Sequence, residues 1–246
     1  MDGFMKNLLS RDRHVLKYTL LSFSVIIASY LMYLFLNEDT IIKLGKEDGL
    51  FEYLTALSFL VTSVLFFIIY LRRKRIVHLL FALVFFFGMG EEVSWGQRIF
   101  NYKSPGYFKE NNLQDEFNLH NLKIFDSQKG GGQYKSGLSR FFAMNFLYKL
   151  FWLMYGVILP VICLLLPIVK RITDRIDLPV PPFILGAAFL FNWIAAKAIF
   201  TAVILDRTSH YYYAGIEISE FCSAFVFVCL VTSFLLTGMT AKRKMA

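Results

Sequence analysis

The stretch Gly88-Met89-Gly90-Glu91-Glu92-Val93-Ser94-Trp95-Gly96-Gln97-Arg98 constrains this chain more than any other. It closes an apolar run, Ile76 to Phe87, with two adjacent carboxylates, an indole, an amide and a guanidinium. A charged side chain at membrane depth costs about 3 kcal/mol, so it faces a protein interior or a wet cavity and marks a site. A fold for this chain must therefore bury apolar helices in a bilayer and still shelter a polar cluster at one end of them.

Composition supports the membrane setting. Hydrophobic residues make up 57% of the chain and aromatic residues 17%, with 27 Phe, whereas soluble domains run at about 45–50% apolar. The net charge of +8 does not point to nucleic acid, because the basic residues fall in short clusters beside apolar runs, as in cytoplasmic loops. Cys163, Cys222 and Cys229 lie inside apolar runs without metal-type spacing and read as packing residues. The first apolar run lacks a small-residue cleavage site and reads as a true span rather than a signal peptide.

The expected architecture is an all-α, polytopic helical bundle forming a single transmembrane domain over residues 1–246, with about six spans. These are Tyr18 to Leu36, Leu50 to Leu71, Ile76 to Gln97, Phe146 to Val169, Pro181 to Leu205 and Tyr212 to Met239. Each meets the ~20 residues a helix needs to cross the hydrocarbon core. Pro160 and Pro167 predict kinks in span four. With six spans, the basic lead Met1 to Lys17, Arg72–Arg75, Lys170–Arg175 and Lys242–Lys244 fall on one side. The positive-inside rule makes that side cytoplasmic. Both termini are then inside a bacterial cytoplasmic membrane, and the polar site faces outward.

Asn101 to Arg140 forms the expected extracytoplasmic cap. Ser104-Pro105 predicts an N-cap followed by proline at the first helical position. Phe108, Leu113, Phe117, Leu122 and Phe125 predict short interfacial helices, and Gly130-Gly131-Gly132 predicts a flexible break.

Orientation gathers the scattered charges. Glu91 and Lys197 each lie about 15 residues, or ~23 Å, from the inner ends of their spans. Glu217 and Glu220 lie within about three turns of the outer end of span six. On a continuous helix, Asp206, His210, Tyr213, Glu217 and Glu220 form one stripe, as do Glu91, Trp95 and Arg98. Four carboxylates at one depth, Glu91, Glu92, Glu217 and Glu220, exceed what Lys197 and Arg98 can neutralise. That excess predicts a metal ion, a bound cation or shared protons.

The leading reading is a membrane-embedded, metal-dependent hydrolase acting on a lipid or lipid-linked substrate. Glu92, His120, His210 and Glu217 are the candidate ligands for zinc or another divalent metal. Glu91, Glu92, Arg98, Lys197 and Glu220 are the candidate catalytic groups, acting as general bases or stabilising developing charge. Trp95, Gln97, Asn121 and Tyr213 are the candidate substrate contacts. The expected partners are the lipid bilayer and that lipid substrate, not nucleic acid. Two alternatives stay open: a proton- or cation-coupled transporter or channel component, since buried acids with a lysine serve in relays, and a membrane interaction or sensor protein with structural acids.

Two resemblances bear on these residues. Glu91, Glu92, Arg98, His120 and Asn121 distantly resemble the glutamate-dependent intramembrane proteases of the CAAX-processing and PrsW type. Separately, Glu91-Glu92-Val93-Ser94-Trp95-Gly96-Gln97-Arg98 with Asn118-Leu119-His120-Asn121 is similar to a signature of bacterial multispan membrane proteins. That likeness carries no activity with it.

Overall fold

A computed structural model describes residues 13–46, 48–126, 137–203, 206 and 208–245. The start of the basic lead, up to residue 12, and the Gly130-Gly131-Gly132 break lie outside them. The architecture among the described residues is an all-α bundle: α1 (Arg13–Phe35), α2 (Glu38–Gly45), α3 (Leu50–Arg73), α4 (Ile76–Glu92), α5 (Gln97–Phe100), α6 (Gly106–Asn111), α7 (Met144–Trp152), α8 (Leu159–Leu165), α9 (Pro167–Arg175), α10 (Phe183–Val203) and α11 (His210–Met245). Five helical stretches are long and apolar enough to cross a membrane, and six if the bent pair Ile76–Glu92 and Ser94–Phe100 forms one span. The chain reads as an integral membrane protein on that ground.

The central helix is α11. Ala214, Ile218, Cys222, Ala224, Val226, Leu230 and Val231 on it are wholly buried, and it packs against α1, α2, α3 and α10. An aromatic core surrounds it. Phe227 meets Phe85 of α4 and Phe189 of α10, with ring centroids 4.8 and 4.7 Å apart, and Phe66 of α3 stacks on Phe81 at 4.9 Å. Such pairs add about 0.5–1.5 kcal/mol each beyond area burial, which explains how Phe-rich spans specify one packing in a solvent that is itself apolar. The three cysteines are free and buried.

Side-chain ties identify which loops share an end. Asp177, between α9 and α10, accepts from Arg73 Nη1 at 2.8 Å and faces His78 Nε2 at 2.9 Å, so the basic clusters beside α3 and α9 lie at one end. At the other end Arg98 pairs with Asp48 and Glu116. Tyr33 stacks on Tyr211 with centroids 4.4 Å apart, and each hydroxyl donates to the other residue's carbonyl.

Three sequence expectations need correction. The third apolar helix stops at Glu92 instead of reaching Gln97, and the chain turns by 68°. Ser94, Trp95 and Gly96 all take positive φ, at 46°, 53° and 78°, a conformation that ends any right-handed helix. Span four ends at Leu165: Leu166 is extended and Pro167 starts α9, so Pro167 separates two helices rather than kinking one. Ser104 does not cap α6. Pro105 is the N-cap residue, and the Ser104 hydroxyl instead donates to the Asp115 carbonyl at 2.6 Å.

Pro160 does distort its helix. It has no N–H to offer the Gly156 carbonyl four residues earlier, and the preceding turn, Leu153–Ile158, is widened into a π-turn. Gly186 of α10 approaches that carbonyl so closely that an added Cβ would lie 1.9 Å from the Gly156 oxygen. Only glycine at 186 permits this backbone contact.

Candidate functional site

The polar stretch after α4 folds back on its own helix. Gly90 has no Cβ, and one placed there would sit 2.8 Å from the Trp95 ring. The indole therefore lies over the helix end, where its Nε1–H donates to Glu91 Oε1 at 2.8 Å. Glu91 Oε2 accepts from the backbone N–H groups of Leu119 and His120 at 2.6 and 2.9 Å. One carboxylate thus pins the cap loop to the end of α4. It is only 5% exposed, and its hydrogen bonds are charge-assisted, the stronger kind.

A second carboxylate, Glu116, does the same on the other side of the turn. It is 5% exposed and accepts from Ser94 Oγ at 2.8 Å, Asn118 Nδ2 at 2.6 Å and Asn121 Nδ2 at 3.1 Å, while Arg98 pairs with it and with Asp48. Asn112 knits the same loop, donating to Asn118 Oδ1 at 2.8 Å and accepting from the Gln114 and Glu116 amides. Gln97 donates to Ser104 Oγ at 2.9 Å and accepts from the Phe117 amide at 2.6 Å. Glu91, Arg98, Gln97 and Asn121, expected as catalytic or substrate-contacting groups, are thus all engaged in holding the cap. Trp95 shares that role.

A different set remains beneath this scaffold. Glu92, at the end of α4, lies within electrostatic reach of His120, Glu220, Glu52 and Glu91. Glu220, on α11, interacts with His120 and with Lys149 of α7. Tyr148 of α7 is flanked by Glu220, Glu92 and Ser223. Its hydroxyl is buried without a hydrogen-bond partner, and the buried His120 Nδ1 stands 3.7 Å from Glu91 Oε2, its ion-pair partner. Burial works against a charged His120 ring, but the hydrogen-bonding and charge of Glu91, together with Glu92 and Glu220, outweigh it and raise the pKa above its ordinary value.

The cluster therefore joins Glu92, His120 and Glu220 from the expected set and adds Tyr148, Glu52 and Lys149. Below it runs a buried polar layer. Ser223 accepts from Asn192 Nδ2 at 2.9 Å, and Asn192 Oδ1 accepts from the Tyr30 hydroxyl at 2.8 Å.

Other expected residues stand apart. Lys197 is exposed on α10 with its ammonium 5.5 Å from the Trp193 ring centroid, so it is not turned toward the acids. Tyr213 is exposed and meets Tyr212 edge-on. His210 begins α11 and is exposed. Ten residues separate it from Glu220, about 15 Å of helix. Glu217 sits one turn nearer the capped end than Glu220. Asp206 precedes the helix and accepts from the Thr208 amide at 2.8 Å, so it leaves the expected stripe. Among the described residues, no three His, Cys, Asp or Glu side chains are grouped so as to hold a metal ion. The ligand set Glu92, His120, His210 and Glu217 is not assembled.

A partial signal for the missed residues was present: Ser94, Asn112, Glu116 and Asn118 are polar residues in or beside the two motifs, and Tyr148-Lys149 is the only Tyr-Lys pair opening an apolar run. Compared with known proteins, the chain matches no family model, no curated protein and no solved structure.

Proposed function

We propose that the chain is a membrane-embedded hydrolase that cleaves a lipid or lipid-linked ester at the capped end of the bundle. One observation carries the reading. Glu92, Glu220, His120 and Tyr148 converge under a cap that three other polar groups, Glu91, Glu116 and Arg98, hold in place. The Tyr148 hydroxyl there is buried without a hydrogen-bond partner, and His120 Nδ1 has the Glu91 carboxylate 3.7 Å away. An unpaired buried polar atom costs about 1–3 kcal/mol, so a site that keeps one is built for something that binds.

The chemistry follows from the groups. Glu92 takes a proton from water as the oxygen attacks the ester centre. The protonated His120, favoured by its raised pKa, gives a proton to the leaving oxygen. Tyr148 donates its hydroxyl hydrogen to the oxyanion that develops. Glu220, beside His120, stabilises the imidazolium. The basic clusters at the opposite end argue that the cap faces outward from a bacterial cytoplasmic membrane. A reporter fused after Gly131 is then extracytoplasmic, and a cytoplasmic reporter there would reverse the orientation.

The test is turnover in proteoliposomes made with bacterial lipid extract, read as lipid loss by mass spectrometry. Wild type is expected to consume a lipid that Glu92→Gln and Tyr148→Phe spare. General-base removal costs about 100-fold or more. Equal consumption by both variants would reject the assignment.

A second reading is favoured by the layer Ser223–Asn192–Tyr30, which continues inward beneath Tyr148. A proton-coupled transporter would use such a layer. Proton flux into the same liposomes, abolished by Asn192→Leu, would support it.

A further inference from the structure

The end of the bundle opposite the cap carries a surface of its own. Helix α9 has nine residues, Pro167–Arg175, about 14 Å of helix, far short of the ~30 Å hydrocarbon core. Only Leu166 separates it from the apolar stretch Met144–Leu165, which is long enough to cross a membrane. Helix α9 therefore starts where that stretch leaves the bilayer.

Its side chains sort into four sides. Thr173 is buried, with its hydroxyl 3.8 Å from Cys163 Sγ of α8, which marks the side toward the protein. At 3.6 residues per turn, Ile172 and Ile168 lie about 100° and 140° round from Thr173 in one direction, and Lys170 and Asp174 about 60° and 100° round in the other. Arg171 and Arg175 lie on the far side, about 160° round in either direction. Ile168 and Ile172 are 58% and 53% exposed, and Ile176, just past the helix, is exposed as well. A helix lying in the plane of a membrane surface needs this order: protein on one side, hydrocarbon below, water above and headgroups on the side that remains.

Charge selects the headgroup. The turn between α3 and α4 joins the same surface, because Arg73 donates to Asp177 at 2.8 Å. Residues 72–75 and 170–177 together carry seven basic side chains and two carboxylates. Both carboxylates are engaged, Asp174 by Lys170 and Asp177 by Arg73, whereas Arg171 and Arg175 are exposed one turn apart. An acidic peptide would answer that charge but leave Ile168 and Ile172 in water.

We infer that α9 lies flat in the leaflet at the basic end of the bundle and seats the headgroup of an anionic phospholipid against Arg171 and Arg175, with Ile168 and Ile172 among the acyl chains. The guanidinium fork matches phosphate oxygens, and the isoleucines hold the helix at the depth where that phosphate lies. The inference is independent of the hydrolase reading and concerns the opposite end of the molecule.

The experiment uses the full chain in nanodiscs, where both faces are accessible and orientation does not enter. Depth is read from a nitroxide on Ile172→Cys or Asp174→Cys; the native cysteines are buried, and the parent protein supplies the background. The label at 172 should be relaxed by oxygen and shielded from a water-soluble nickel chelate, and the label at 174 should show the reverse. Headgroup choice is read with phosphatidylglycerol carrying a diazirine beside its glycerol, compared with phosphatidylcholine carrying the same group. Photolabelling of residues 167–177 is expected to favour phosphatidylglycerol. Arg171→Gln and Arg175→Gln should each lower that preference about five-fold, with the melting temperature staying near wild type. A label at 172 as open to nickel as the one at 174, equal photolabelling by the two lipids, or a preference that survives both substitutions together in folded protein would overturn the inference.

Discussion

Adjacent glutamates with opposite jobs give the sharpest prediction. Glu91 accepts three hydrogen bonds, from the Trp95 indole and the Leu119 and His120 amides. A glutamine at 91 has one acceptor atom. If its oxygen faces the two amides, its NH2 group faces the indole N–H; if it faces the indole, two amides lose their acceptor. Either way at least one buried donor is orphaned and the surviving bonds lose their charge. Hydrogen bonds to charged groups contribute about 1.5–3 kcal/mol each, so Glu91→Gln should destabilise the cap by about 2–4 kcal/mol. For a chain of this size the shift is on the order of 10 °C in apparent melting temperature. Glu92→Gln breaks no such set and should melt close to wild type. The assay is thermal unfolding in detergent, beside limited trypsin digestion at Lys103, Lys109 and Lys123, which are exposed in the cap. Glu91→Gln should speed those cleavages and Glu92→Gln should not. Equal melting temperatures for the two variants, or a larger loss for Glu92→Gln, would refute the division of labour.

Other consequences follow from the same geometry. Gly186→Ala puts a Cβ 1.9 Å from the Gly156 oxygen and should destabilise by about 1–3 kcal/mol, the usual cost of overpacking. It should also push α10 away from the Leu153–Ile158 turn, measurable as reduced cross-linking between cysteines placed at 157 and 190, whereas Ala188→Gly on the same helix should not. The raised pKa of His120 has a definite sign in stability. Its contribution is fully present below the ordinary histidine value of about 6.5 and is lost as pH rises through the folded value above it. The gap in melting temperature between wild type and His120→Gln should therefore shrink from pH 6 toward alkaline pH, and a gap that widens would contradict the assigned surroundings of the ring.

Much of the fold was legible because bilayer thickness and charge clustering act on long stretches of chain. The runs at 18–36, 50–71 and 181–205 needed only length and hydropathy; the last is observed as a helix over Phe183–Val203. The bend after Glu92 was not legible, because it depends on three successive residues in the left-handed region and on an indole that needs the missing Cβ of Gly90. Spacing alone put Glu91, Trp95 and Arg98 on one helical face. Glu91 and Trp95 do meet, but through a 68° bend of the chain rather than along one helix.

The carboxylate excess pointed to the end of α4, yet it could not say which acids were already satisfied. Glu91 is satisfied by amides from a loop 28 and 29 residues further on, and Glu116 by the Ser94 hydroxyl and Arg98 guanidinium, 22 and 18 residues before it, together with nearby asparagine amides. Helical periodicity also overreached on α11. His210 and Tyr213 are exposed although they share a register with Glu217. Tyr148 escaped notice because a tyrosine opening an apolar run reads as an interfacial aromatic.

The most direct measurement is oxygen-18 incorporation during lipid turnover in proteoliposomes suspended in labelled water. A hydrolase that uses Glu92 to activate water must place one labelled oxygen in a released product, and Glu92→Gln must lose that signal while keeping its melting temperature. Turnover without label, or label that persists unchanged in folded Glu92→Gln, would contradict the account.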